Sequence, residues 1–172
     1  MSSPWRGERR TRGFKLLATC KVGKEEQAEI ELLDALLRRD MAVEVVRAGF
    51  PGVLLVRTSL MPQEALELVR SMEMAYVISV VPLELIVPAE QSAIEEACIR
   101  LAQEERIGPG TRFAVRCRRR GRAISSSHEL EIAVGRALRE ATGAEVDLER
   151  PDVVFRIEVV GDIAGIGLEK RS

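Results

Sequence analysis

The sequence has few aromatic residues and few cysteines, and both shortages limit the functions it can support. Aromatic side chains make up 3% of the 172 residues, whereas proteins that read unstacked bases by stacking carry exposed aromatic platforms. The three cysteines, Cys20, Cys98 and Cys117, are far apart and form no C-x-x-C pair. The cysteine pattern therefore predicts neither a disulfide framework nor a zinc site. The low aromatic content predicts that any nucleic acid is recognised by charge and shape rather than by base stacking.

Patterns typical of common enzymes and membrane proteins are also missing. His128 is the only histidine, and no cysteine lies next to it, so a Ser-His-Asp or Cys-His arrangement finds no support. The glycine patterns of phosphate-binding and dinucleotide-binding loops are absent. No stretch approaches about eighteen uncharged apolar residues. These observations predict a cytoplasmic, non-enzymatic protein with no catalytic residues, no metal site, no cofactor and no contact with a membrane.

Charge is segregated along the chain although its total is nearly balanced at −1. Residues 1–24 contain seven basic residues and one acid, and residues 25–107 contain seven basic residues and sixteen acids. Residues 108–172 contain twelve basic residues and ten acids. A basic surface beside an acidic one favours oriented docking to a polyanion over general attraction to it.

Residues 111–122 combine a strand pattern with a high density of arginine. Phe113, Val115 and Cys117 alternate with polar or small residues, as in a strand that has one buried and one solvent-facing side. No acidic residue occurs in this segment or in the residues that follow it as far as His128. The segment therefore predicts a strand that ends in a cluster of positive charge.

A run of serines connects this strand to a predicted helix. Ser126 and Glu129 have the S-x-x-E spacing of a capping box, which marks a helix N-terminus whose unpaired backbone N–H groups carry partial positive charge. Arginines beside such a helix start predict a cradle for phosphate oxygens. A solvated, flexible tip is the alternative interpretation.

Periodicity predicts an α+β fold with two domains after a mobile basic tail at residues 1–12. Residues 13–87 have the order βαββαβ, which predicts a ferredoxin-like domain with two helices on one face of an antiparallel sheet. Pro82 confines one of its strands to an edge or interrupts it. The predicted boundary is Val87–Pro88, and residues 88–172 form the second domain, which contains the arginine-rich strand.

From Thr111 onward the sequence resembles the THUMP domain, an RNA-binding module of thiouridine synthases, RNA methyltransferases, pseudouridine synthases and the adaptor of tRNA cytidine acetylation. The resemblance rests on the basic strand RFAVRCRRRGR, the helix entry SSSHELEIAVGRAL and the paired strands VVFRIEVVGDIAGIGLEK, in that order. It implies a THUMP α/β domain that docks on the acceptor end of tRNA through the backbone and the shape of the 3′ end. The RNA-binding residues that it implies are Arg112, Arg116, Arg118, Arg119, Arg120, Arg122, Ser125, Ser126 and Ser127, with Lys170 and Arg171 as a weaker addition.

Three functions are compatible with this resemblance. In the family's enzymes a catalytic domain accompanies the THUMP domain, whereas this sequence ends two residues after Lys170. We therefore expect a non-catalytic tRNA-binding protein that assists a separate modifying enzyme, such as the acetyltransferase of cytidine acetylation. The first alternative is the RNA-binding part of a thiouridine synthase or RNA methyltransferase. The second is a protein-interaction module that forms a homodimer through the edge of its ferredoxin-like sheet.

Overall fold

A computed structural model of the protein describes residues 12–171 and divides the chain into two compact units. The first unit extends to Leu83 and the second begins at Glu84. The predicted mobile tail, residues 1–12, lies outside the described residues except for Arg12. Within residues 12–171, no helix has the length and apolar character that crossing a bilayer requires.

The first unit contains four strands and two helices. They are β1 (Phe14–Cys20), α1 (Glu25–Leu36), β2 (Glu44–Arg47), β3 (Val53–Arg57), α2 (Pro62–Arg70) and β4 (Val77–Pro82). The strands form one sheet in the order β2-β3-β1-β4, in which all neighbours are antiparallel. Pro82 ends β4 at the edge of this sheet, where its missing N–H removes no ladder hydrogen bond.

The core of the first unit lies between its sheet and its two helices. Leu16 and Leu54 contribute from the strands, Leu32 and Leu36 from α1, and Leu66 from α2. Leu32 and Leu36 are four residues apart, so they lie on the same face of α1. Each leucine buried in this way stabilises the fold by about 1.5–3 kcal/mol.

A buried carboxylate connects the end of β3 to the loop that follows α1. Asp40 is 8% exposed. Its side chain accepts hydrogen bonds from the Thr58 hydroxyl at 2.6 Å, the Ser59 N–H at 3.0 Å and the Ala42 N–H at 2.9 Å. These donors, the Thr58 hydroxyl first, hold the pKa of Asp40 below its ordinary value. The ionised carboxylate therefore stabilises this junction.

We expect the substitution Asp40→Asn to lower the Tm at pH 7 and to reduce the sensitivity of the protein to acid. Because the pKa of Asp40 is lower in the folded than in the unfolded state, its charge stabilises the fold above the unfolded value. That stabilisation is lost as the pH falls through the folded value. Thermal denaturation at pH 7 and at about pH 3 measures the difference between the two proteins, which should shrink at the lower pH.

The exposed Asp34 of α1 provides a matched control for this experiment. Asp34→Asn removes the same charge without removing those three hydrogen bonds, so its Tm should stay close to that of the wild type. A Tm difference for Asp40→Asn that is equal at both pH values would contradict the assigned role of the carboxylate.

The second unit contains five strands and two helices. They are β5 (Leu85–Pro88), α3 (Gln91–Glu104), β6 (Arg112–Arg120), α4 (Ser127–Thr142), β7 (Glu145–Val146), β8 (Val153–Val160) and β9 (Ile163–Lys170). The sheet order is β5-β9-β8-β6-β7. Strand β6 is parallel to β7 and β8, whereas β9 is antiparallel to β8 and β5.

The pairing of β5 with β9 places the division of the chain earlier than the predicted boundary at Val87–Pro88. The predicted first domain includes residues 84–87, whereas the structure groups these residues with the second unit. The sequence of β5 fits either sheet, and its partner in β9 is distant along the chain. Local periodicity therefore does not indicate the unit to which β5 belongs.

Helices α3 and α4 cover one face of the second sheet. Phe113 of β6 and Phe155 of β8 point into this core, where their rings meet edge to face with centroids 6.0 Å apart. Ile94 of α3 and Leu138 of α4 pack into the same core. Because side chains alternate along a strand, the even-numbered residues of β6 lie on the opposite face.

Candidate nucleic-acid interface

The pleat of β6 sorts its arginines by side of the sheet. Arg116, Arg118 and Arg120 lie on the face away from the helices, whereas Arg119 follows Cys117 on the helix side. Arg118 and Arg119 are nevertheless close to each other at the end of the strand, where they line an open depression together with Ser127. The strand end and the start of α4 therefore form one surface.

The connection between β6 and α4 is held in a defined conformation. Gly121 has a φ of 99°, a left-handed conformation that favours glycine, and it turns the chain away from β6. Ile124 is buried and fixes the middle of the connection. Ser125 is exposed beside it. Ile124 is thus packed into the domain, whereas its neighbours in the connection are exposed.

The helix start predicted from the capping box is present. The Ser126 side chain accepts a hydrogen bond from the Glu129 N–H at 3.1 Å, and Ser126 is the N-cap of α4. Ser127 is the first helical residue. In the described part of the chain, the backbone N–H groups of Ser127 and His128 have no hydrogen-bond acceptor. Such groups, together with the helix dipole, attract anions.

Three arginines near this helix start carry uncompensated charge. Arg118, Arg119 and Arg122 are exposed, and none of them forms an ion pair with a carboxylate among residues 12–171. We call these three residues the arginine tip. Their charges are available to an external anion because no internal partner has to be displaced.

Arg120 also lines the depression at the end of β6, but its guanidinium is engaged in an ion pair. Its Nη1 lies 2.7 Å from Oε2 of Glu158, a residue whose side chain is 2% exposed, and the Arg120 side chain is 14% exposed. Arg156 contacts the other carboxylate oxygen of Glu158 at 3.5 Å. Gly165 lies opposite Glu158 on β9, so no side chain competes for this space. Arg120 therefore compensates the charge of a buried carboxylate, and we do not include it in the arginine tip.

Arg112 and Lys170 are also engaged in ion pairs. The guanidinium of Arg112 lies 3.3 Å from Asp152 and 3.7 Å from Asp147. Its backbone N–H and then its side chain donate hydrogen bonds to Asp152, and these hold the pKa of Asp152 below the ordinary value. Lys170 contacts Glu105 at 2.9 Å.

These two residues lie at the far end of the sheet from the arginine tip. The first residue of β8, Val153, pairs with Lys170, and its last residue, Val160, pairs with Arg120. Seven steps of about 3.3 Å separate the two ends by about 23 Å. Arg171 follows Lys170 and is exposed at the same end. Arg112, Lys170 and Arg171 therefore lie far from the arginine tip, although the prediction places all of these residues in one RNA-binding site.

Arg116 lies between the two ends and borders a groove next to α4. Its Nη2 donates a hydrogen bond to the carbonyl oxygen of Leu148 at 2.9 Å. Arg136 and Arg139 of α4 line the same groove. Neither was selected from the sequence, although their spacing of three residues places them on one exposed helix face.

The second unit also matches a known family. A family model for the THUMP domain matches residues 89–169. The second unit therefore contains a THUMP domain. This match begins within two residues of α3 and includes the whole of β6, α4, β7 and β8.

Curated relatives share this part of the sequence. A tRNA (guanine(6)-N2)-methyltransferase of Thermus thermophilus is 42% identical over 77 residues, which cover 45% of this chain and 23% of the relative. A tRNA sulfurtransferase of Pseudomonas syringae is 48% identical over 52 residues, which cover 30% of this chain and 11% of the relative. The chain thus spans less than a quarter of the length of these curated relatives.

Solved structures show the same fold over a longer range. PH1313 from Pyrococcus horikoshii has a TM-score of 0.73 and 22% identity, covering 91% of this chain and 54% of that one. TrmN from Thermus thermophilus has a TM-score of 0.61 and 29% identity, covering 91% of this chain and 46% of that one. A 4-thiouridine synthetase solved with RNA and ATP has a TM-score of 0.61 at 15% identity, covering 91% of this chain and 41% of that one.

Cys117 lies next to the arginine tip in the THUMP domain. Burial raises its pKa to about 11, although a hydrogen bond with the Ser127 side chain opposes the shift. Among residues 12–171, no group of three or more His, Cys, Asp or Glu residues could hold a metal ion. The surface around the tip is therefore characterised by fixed positive charge.

We expect Glu158→Gln to lower the free energy of unfolding by about 3 kcal/mol, because it leaves Arg120 without a buried counter-charge. Urea denaturation followed by circular dichroism measures this loss. Glu169→Gln is the matched control, since Glu169 contacts Arg156 at 3.5 Å and is more exposed. Its effect should stay below about 1 kcal/mol. Equal effects of the two substitutions would contradict a special role for the Arg120–Glu158 pair.

Proposed function

We propose that this protein binds tRNA through its THUMP domain and supplies substrate recognition for a tRNA modification reaction. The observation that carries the proposal is the arginine tip. Arg118, Arg119 and Arg122 have no carboxylate partner among residues 12–171, and Arg118 and Arg119 line a depression with Ser127 at the open N-terminus of α4. The named functions of the relatives, a tRNA methyltransferase and a tRNA sulfurtransferase, support tRNA as the polyanion.

The physical basis of binding is contact with the sugar-phosphate backbone. Guanidinium groups bind phosphate oxygens through paired N–H donors, and the unpaired N–H groups of Ser127 and His128 add donors of fixed direction. Contacts of this kind position an RNA without reading its bases. The aromatic content of 3% agrees with recognition through backbone and shape. We further propose that the acceptor end of tRNA is the part that docks.

We propose that the chemical step is carried out by a catalytic domain or protein that this THUMP domain serves. The curated relatives are enzymes of methyl and sulfur transfer, and their similarity to this chain falls on 77 and 52 residues. These relatives support the interpretation of this chain as the RNA-binding part of a methyl-transferring or sulfur-transferring enzyme. The adaptor role in cytidine acetylation, the homodimer and the cytoplasmic location stay predictions.

We also propose that the first unit is a ferredoxin-like domain. Its element order and its sheet order β2-β3-β1-β4, with every neighbour antiparallel, support this assignment. In such a unit both helices cover the same face of the sheet. The shared core of α1 and α2 against β1 and β3 agrees with that expectation.

Replacing the arginine tip by alanine (Arg118→Ala, Arg119→Ala and Arg122→Ala together) should weaken tRNA binding by about a hundredfold at 0.1 M salt, because three phosphate contacts are lost. The slope of log Kd against log salt should fall by about three. Fluorescence anisotropy with labelled tRNA at several salt concentrations measures both quantities. The variant should remain folded, since these side chains are exposed.

A matched triple variant at the other end of the sheet controls for total charge. Arg112→Ala, Lys170→Ala and Arg171→Ala together remove the same three charges about 23 Å away. Binding should weaken by less than about threefold, because two of these residues are engaged in ion pairs. Equal losses in the two triple variants would contradict the placement of the interface at the arginine tip.

A further inference from the structure

Helix α1 of the first unit carries apolar side chains on two sides. Its buried side, which includes Leu32 and Leu36, packs into the core. On the opposite side, Ile30 is 54% exposed, and Leu37, at the end of the helix, is 37% exposed. The surface helix of a globular domain normally has polar residues on the side away from its core. The second apolar side of α1 therefore has a purpose other than filling the core of this unit.

The exposed apolar residues have the spacing of a coiled-coil seam. Ile30, Leu33 and Leu37 are three and four residues apart, so they occupy a, d and a positions of a heptad and lie in one row along the helix. Leu33, in the middle of the row, is partly buried and also packs against the core. We call these three residues the α1 row. Apolar side chains gathered in one row, unlike scattered ones, indicate an interaction surface.

Acidic residues border the α1 row on both sides. Glu29 and Asp34 occupy the g and e positions that flank it, and Glu26 continues it by one turn. None of the three forms an ion pair or a side-chain hydrogen bond among residues 12–171. α1 contains no basic residue, and Asp34 lies in its last turn, where the helix dipole does not favour negative charge. The row is therefore surrounded by uncompensated negative charge.

Two other carboxylates of α1 are used by the fold and hold the helix in place. Glu25 accepts the N–H of Gly52 at 3.0 Å, which connects the start of the helix to the loop between β2 and β3. Glu31 accepts the N–H groups of Tyr76 at 2.8 Å and Val77 at 2.9 Å, at the start of β4. Because α1 is fixed within the first unit, a partner meets a preformed surface whose ordering costs no further binding energy.

The charge of this surface decides which kind of partner it fits. Glu26, Glu29 and Asp34 repel a polyanion such as RNA. A second copy of this chain that used the same row would place these carboxylates opposite one another, because a two-fold contact joins identical surfaces. An apolar segment flanked by lysine or arginine complements both the row and its charged borders.

We propose that the α1 row docks one helix of a partner protein, with apolar residues at its a and d positions and lysine or arginine at its e and g positions. The spacing of the row favours a helix over an extended segment, because helices pack when their three-residue and four-residue rows interlock. α1 is about 18 Å long, so the contact is short and its affinity is low. The proposal concerns the first unit alone and goes beyond tRNA binding by the arginine tip.

The test uses two synthetic peptides of three heptads, both with leucine at a and d. One has lysine at e and g and the other has glutamate there, with alanine and glutamine elsewhere. The anisotropy of each fluorescein-labelled peptide, titrated with the full chain, gives its Kd. Wild type should bind the lysine peptide about tenfold more tightly than the glutamate peptide at about 0.05 M salt, and the preference should fall below about threefold at about 0.5 M salt.

A charge exchange on α1 tests the pairing directly. Glu29→Lys together with Asp34→Lys should reverse the preference, so that the glutamate peptide binds more tightly than the lysine peptide. Glu96→Lys together with Glu140→Lys is the matched control, because it changes the total charge equally at two exposed acids of the second unit. This control should keep the preference of the wild type.

Removal of the apolar side chains is the second test. Ile30→Ser together with Leu37→Ser should weaken binding of the lysine peptide by about tenfold and leave tRNA binding unchanged. Ile78→Ser is the control, because Ile78 of β4 is a 66% exposed isoleucine of the same unit, and it should bind the peptide as wild type does. The charge exchange gives an independent test if the serine variant fails to fold, since lysine is a good helix former.

The outcomes separate this inference from the proposed function. Equal binding of the two peptides by wild type, or a preference that the charge exchange leaves unchanged, would overturn the inference and leave tRNA binding in place. Self-association in light scattering that Ile30→Ser with Leu37→Ser removes would assign the row to a second copy instead. A chain that begins at Arg12 and binds the lysine peptide about tenfold more tightly than the full chain would assign it to residues 1–11. Loss of tRNA binding in the folded serine variant would assign it to RNA.

Discussion

The pleat of a single strand is the constraint on which the interface depends. On one side of β6, Phe113 must reach Phe155 in the core of the second unit, and their edge-to-face contact fixes how the strand is rotated. With that rotation fixed, Arg116 and Arg118 have to lie on the opposite face. The hydrophobic core thus determines the direction of these two cations, whereas Arg119 lies on the helix side and Arg122 lies in the connection that follows β6.

Arginines of one strand have unequal roles because their local environments differ. Arg120 is nearly buried next to Glu158, where a carboxylate without a counter-charge would be costly. Arg118 and Arg119, its neighbours, are exposed and keep their hydration until an anion arrives. A count of basic residues therefore overestimates the charge that is available for binding. The candidate interface is therefore smaller than the arginine-rich segment.

The sequence predicted those features that depend on residues close to one another along the chain. The strand predicted within residues 111–122 is present as β6, and the cap predicted at Ser126 is present at the start of α4. Features that depend on distant partners were missed. Glu158 is 38 residues from Arg120 and Asp152 is 40 residues from Arg112, so no local pattern shows that these arginines are engaged. The groove was missed for the same reason, since strand and helix meet only in the fold.

The position of β9 has a consequence for the order in which the THUMP domain becomes complete during synthesis. β9 lies between β5 and β8, so it is both the last strand to be made and the one that joins the first strand to the rest of the sheet. Until residues 163–170 have left the ribosome, β5 has no ladder to enter. A nascent chain therefore exposes β5 and the edge of β8 until the strand that pairs with both of them has been made.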